Sequence, residues 1–220
     1  MRKILSLYQY VAPAIFTPLA WWLWFIESAN IQITLMAWLL PITWAYIVPG
    51  VGTNVLKVWE FDARFKLGRF RPHHGFVFGS ATSMLAWLVH GSAASSLTDV
   101  FRYAFILTGV LGFWNILYEI RAIEVGVLKV YNQPWADGKD AASIALDYSP
   151  WFFGGFGAAY GLSVATTEWL VNTGQLSWPF FTLLFVVCLF FSIALPVMGF
   201  IRYSLSRHGH RGTRPVNKEC

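Results

Sequence analysis

The stretch LTGVLGFWNILYEIRAIEVGVLKV, residues 107–130, decides the reading of this chain. Placed on a helix at about 100° per residue, Thr108, Gly112, Asn115, Glu119, Ala122 and Gly126 fall on one face. Ile106, Val110, Phe113 and Leu117 fall on the other. Such a helix turns its small, polar stripe toward protein and its bulky apolar side toward lipid. Glu119 sits one turn beyond Asn115 on the inner stripe, where its carboxyl group is partly out of water.

The rest of the chain repeats the apolar theme. Apolar residues make up 56% of the 220 and charged residues only 12%, against about 25% charged in a soluble domain. The deficit lies in runs near 8–26, 31–49, 75–91, 100–122, 150–171 and 177–201. A bilayer core of about 30 Å needs roughly 20 such residues in a helix. The sequence therefore predicts an all-α, polytopic bundle of six spans over residues 1–202, followed by a basic polar tail, 203–220, without a fold of its own.

Basic residues set the expected orientation. Arg2 and Lys3 precede the first run, and Lys57, Arg64, Lys66, Arg69 and Arg71 lie between the second and third. Lys129 and Lys139 lie between the fourth and fifth, and Arg202, Arg207, Arg211, Arg214 and Lys218 follow the sixth. With six spans all four groups share one side, which the positive-inside rule makes cytoplasmic. Both termini are then expected inside, in a bacterial cytoplasmic membrane. GGFGAAYG at 154–161 puts Gly157 and Gly161 at i,i+4, a seam for close helix contact. Two cysteines, Cys188 and Cys220, suggest neither disulfides nor zinc.

Ionisable groups cluster in two loops on the expected cytoplasmic side. The first is NVLKVWEFDARFKLGRFRPHHG, 54–75. Its first half reads as an amphipathic helix in the headgroup region, with a Glu60–Arg64 pair. Asp62 breaks its apolar side and calls for a partner, Lys66 being the simplest, or for a catalytic role. Arg69, Arg71, His73 and His74 together suit a phosphate or anionic headgroup. The second loop is NQPWADGKDAASIALDYSP, 132–150. Asp137, Asp140 and Asp147 are expected there either as turn and cap residues or as hard-oxygen ligands for a divalent ion such as Mg²⁺.

Two short resemblances bear on chemistry. Arg71-Pro72 within RFRPHHGFVFGSATS (69–83) resembles the first motif of the type-2 phosphatidic acid phosphatases, but Gly79-Ser80-Ala81 lacks the His of their second, and that activity is not carried over. NILYE (115–119) is similar to the Asn-x-x-Trp-Glu motif of the membrane-bound meroterpenoid cyclases, with Tyr118 at the Trp position. That resemblance covers one motif in one helix, and implies a Glu beside an Asn that protonates an isoprenoid.

The chain lacks G-x-S-x-G, Walker, C-x-x-C and dinucleotide fingerprints. Nothing in it suggests a nucleic-acid partner. The expected function is a membrane enzyme acting on a lipid or isoprenoid, with Glu119, Asn115 and Asp62 catalytic. A small-solute transporter, or a subunit of a larger membrane complex, is the alternative. The expected partners are membrane lipids, the lipid or isoprenoid substrate, and a second copy or another membrane protein.

Overall fold

The computed structural model describes residues 1–217. Lys218 and Cys220, named above, lie outside the described residues. The fold is all-α and 74% helical. Its long helices are α1 (Arg2–Ser28), α2 (Ile31–Gly50), α3 (His74–Leu88), α4 (Leu97–Glu124), α7 (Gly155–Asn172) and α8 (Trp178–His208). Two short helices, α5 (Gln133–Ala136) and α6 (Ala141–Leu146), occupy the loop before α7. Each predicted apolar run falls on one of the long helices. Three segments are long and apolar enough to cross a membrane: Ile31–Val55, Leu97–Glu124 and Trp178–His208.

Local chemistry sets the helix ends. The Asn30 side chain accepts from the backbone N–H groups of Gln32 and Ile33 and starts α2. Ser96 and Asp99 form a reciprocal capping box at the start of α4. Gly209, at φ 73°, ends α8 in the left-handed conformation that glycine adopts without steric cost.

The α4–α7 pair is the central seam. A Cβ added to Gly161 would lie 2.6 Å from the Ala104 Cα, and one added to Gly157 would overlap the Leu107 carbonyl. The expected small-residue contact is therefore present, and its partner is α4. Gly112, Asn115, Glu119 and Ala122 are buried on α4, while Phe113 and Leu117 are exposed on its other side. On α8, Leu183, Val186, Phe190 and Met198 stand exposed, as an apolar span facing hydrocarbon would present them.

The loop between α2 and α3 departs from expectation. Val51–Val55 continues α2 as a single π-helical turn, and Trp59–Phe61 is a strand, β1. β1 pairs antiparallel with β2 (Leu128–Val130), Trp59 facing Val130. The similar segments VLKVW (55–59) and VLKVY (127–131) thus meet in a two-stranded ribbon. No amphipathic helix forms here, and Glu60 lies 3.6 Å from Lys66 rather than pairing with Arg64.

One end of the bundle gathers the start of α1, the end of α8 and both long loops. Arg2 bonds Asp62 at 2.5 Å, the Asp62 amide donates to the Val127 carbonyl, and His208 meets Asp147 at 2.7 Å. The C-terminal segment also differs from the unstructured tail expected. α8 runs through His208, and beyond it the Val216 amide donates to the Tyr131 carbonyl while His210 meets Gln133 at 3.1 Å.

Candidate active site

Glu119 and Arg71 line one cavity beneath the ribbon. Its walls include Trp44, Trp59, Trp114, Phe78, Phe152 and Phe153. Such a chamber is mostly apolar, with a few polar groups placed to orient what it holds.

Arg71 is 2% exposed. Its Nε donates to His74 Nδ1 at 2.9 Å and its Nη1 to Gln9 Oε1 at 3.1 Å. Its guanidinium carbon lies 4.7 Å from the centre of the Phe61 ring. Two distant elements position these partners, Gln9 coming from α1 and Phe61 from β1. Both hydrogen-bond partners are uncharged, so no carboxylate bonds to the buried cation among the described residues. His74 accepts at Nδ1, which leaves the proton of the neutral ring on Nε2.

Glu119 is buried on the inner face of α4 and accepts a hydrogen bond from the Tyr148 hydroxyl. Asn115, one turn earlier, donates to the Leu111 carbonyl at 2.8 Å and lines the same chamber. The Tyr118 hydroxyl is buried there without a hydrogen-bond partner among the described residues. An unsatisfied buried hydroxyl costs about 1–3 kcal/mol, and a bound polar group would satisfy it.

The structure thus unites four of the predicted site residues: Glu119, Asn115, Arg71 and His74. The others do not line this chamber. Asp62 is half-exposed and paired with Arg2 rather than with Lys66, and it does not line the chamber. Arg69 lies outside the chamber, donating to the Lys57 carbonyl and covering the Tyr131 ring. His73 packs its ring on Tyr10, with centroids 4.9 Å apart. Burial and then the Arg71 charge push its pKa below the usual imidazole value.

The three loop aspartates do not form a metal centre. Asp140 caps α6 by accepting from the Ser143 amide, and Asp137 accepts from Gln133. Asp147 is buried among Asn132, Tyr203 and His208. Among the described residues no group of three or more His, Cys, Asp or Glu side chains is arranged to hold a metal ion. Local hydrogen bonding explains each carboxylate, and Ser143 holds Asp140 below its ordinary pKa.

A second polar cluster stands at the opposite end of the bundle. His90 Nδ1 lies 2.5 Å from Glu27 Oε1, and its Nε2 lies 2.6 Å from Glu168 Oε1. Glu168 is 2% exposed and also accepts from the Ala94 amide at 3.0 Å. Trp24 and Tyr103 pack on the His90 ring. His90 Nδ1 is in hydrogen-bond geometry with Glu27, whereas the Nε2–Glu168 approach is a close contact outside hydrogen-bond geometry.

Sequence reasoning did not single out Gln9, Tyr148, the aromatic walls, Glu27 or Glu168. The hydrogen bonds that reveal them link residues far apart in the chain, which leaves no local pattern to read. Comparison with protein-family models, curated proteins and solved structures finds no match to this chain.

Proposed function

We propose that this protein is an integral membrane enzyme acting on a lipid or isoprenoid, with Glu119 as its acid and base. One observation carries the reading: a buried carboxyl group and a buried guanidinium share one aromatic-lined cavity without pairing with each other. A simple structural ion pair would bring the two into contact. Held apart, they suit a ligand with a polar or anionic head and an apolar body.

In this reading Arg71, braced by Gln9 and His74, holds the head. Glu119 gives a proton to the apolar portion of the substrate and takes one back when the reaction ends. Tyr148 fixes the orientation of the carboxyl group. The faces of Trp44, Trp59 and Trp114 stabilise positive charge that develops on the substrate. The two conserving features of the chemistry, one proton given and one returned, need no redox partner.

The six long helices cross the membrane in this proposal, with both termini on the cytoplasmic side of a bacterial inner membrane. The gathering of the start of α1, the end of α8 and the basic loops at one end supports it. The test is Glu119→Gln, compared with the parent by mass spectrometry of lipid extracts from cells expressing each. Loss of a product seen with the parent, in a variant that melts normally, supports the reading. An unchanged product profile at equal expression overturns it.

A proton-coupled transporter is the second reading, and the Glu27–His90–Glu168 cluster favours it. Buried ionisable groups at both ends of one bundle are what a proton path requires. Proton flux into proteoliposomes that disappears in His90→Gln would support transport over catalysis.

A further inference from the structure

A second cavity lies beside the first, sharing Trp59, Tyr148 and Phe152 with it. Ile47, Val51, Leu56, Ile193, Val197 and Ile201 line it. It runs between the end of α2 with its π-helical turn and the later part of α8, two of the segments long and apolar enough to cross a membrane. Ile47 and Val51 stand exposed at its lip. Water would find almost no hydrogen-bond partners along these walls.

The other end of this cavity carries its polar residues. Tyr131, Asn132 and Thr213 line it, and the Val216–Tyr131 backbone bond holds the C-terminal segment over it. Between the two cavities stand three rings, Trp59, Tyr148 and Phe152, which line both. Their centroids lie 5.9 Å (Trp59–Tyr148), 5.4 Å (Trp59–Phe152) and 6.4 Å (Tyr148–Phe152) apart. Tyr148 faces Glu119 with its hydroxyl while its ring belongs to the partition.

We infer that the second cavity holds the hydrocarbon chain of the same molecule whose reactive portion occupies the first, with the chain passing the Trp59–Tyr148–Phe152 partition. The inference rests on the lipid or isoprenoid reading above and adds how such a substrate is divided. The polar chamber takes the head, and the apolar chamber, open to the bilayer, takes the chain and admits it.

Two photoreactive geranylgeraniol probes test this, one with a diazirine at the alcohol end and one at the far end. Each is crosslinked to the full chain in mild detergent and mapped by peptide mass spectrometry. The alcohol-end probe is expected on Trp114 and Tyr118, and the far-end probe on Ile193 and Val197. Val197→Trp should lower far-end labelling about tenfold, the scale of one overpacked side chain. Val51→Trp fills the same space from the exposed lip and serves if Val197→Trp does not fold. Far-end labelling spread along Leu183, Val186 and Phe190, and unchanged by either variant, would show ordinary lipid contact and overturn the inference. Turnover plays no part in this readout, so a failed acid–base role for Glu119 leaves the expected labelling pattern unchanged.

Discussion

The Tyr148 hydroxyl donates to the Glu119 carboxylate from just beyond the end of α6. The same ring forms part of the partition between the two cavities. The contact ties the loop to α4 at the site. Tyr148→Phe keeps the ring and removes only the donor. It should destabilise the protein by about 1–3 kcal/mol, because a buried acceptor loses its partner. Thermal unfolding in detergent checks this, and an unchanged midpoint would mean that Glu119 is satisfied in another way.

Glu119→Gln retains shape and the ability to accept from Tyr148. The variant should fold, with stability within about 1 kcal/mol of the parent. Its turnover should fall about 10²–10⁴-fold, the usual contribution of a positioned acid or base. Product formation in membranes carrying equal amounts of each protein measures it.

Gly161→Val should disrupt the bundle. The added Cβ would sit 2.6 Å from the Ala104 Cα, a backbone atom that cannot turn aside. Forced separation of α4 and α7 should cost about 3 kcal/mol or more. Loss of the monodisperse peak in size-exclusion chromatography is the expected result, while Gly109→Ala on α4, which meets nothing, should elute normally.

His90→Ala leaves Glu168 buried without its cation. Breaking a buried pair in this way costs about 3–5 kcal/mol. Glu27→Gln should cost far less, because the Glu27 side chain is 33% exposed and that of Glu168 is 2%. The two melting curves, measured side by side, give the order directly.

Glu60 supplies a pH dependence outside the membrane-spanning segments. The Tyr131 hydroxyl, donating at 2.8 Å, is the main cause that lowers its pKa below the ordinary 4.5. A lowered folded-state pKa gives stability that is present above the unfolded value and lost as pH falls through the folded one. Tyr131→Phe should therefore be less stable than the parent at neutral pH, and the gap should narrow below about pH 4.5. Acid titration of both melting midpoints checks the sign.

The helices were legible because their signals are local. Apolar runs and the stripe through Gly112, Asn115 and Glu119 repeat within one helix, and the buried face of α4 matches them. The loop at 54–75 was misread for the same reason. Val51, Val55, Val58 and Phe61 also fit a helical face, yet pairing of Trp59–Phe61 with Leu128–Val130 gives that backbone its hydrogen bonds as a strand. Arg69, Arg71, His73 and His74 look equivalent in sequence. Only tertiary contacts with Gln9 and Phe61 bring Arg71 into the cavity and leave Arg69 outside it. The aspartates of 132–150 invited a metal reading because they are close in sequence, whereas each finds a different partner in space.

Native mass spectrometry of the protein released from mild detergent, comparing the parent with Arg71→Met, tests the central claim most directly. The account predicts one lipid or isoprenoid retained per chain by the parent and lost from Arg71→Met, which keeps the side-chain bulk but not the charge. A parent that carries no specific small molecule, or that carries a stoichiometric partner protein in its place, would contradict it and make Arg71 and Glu119 structural residues of a larger complex.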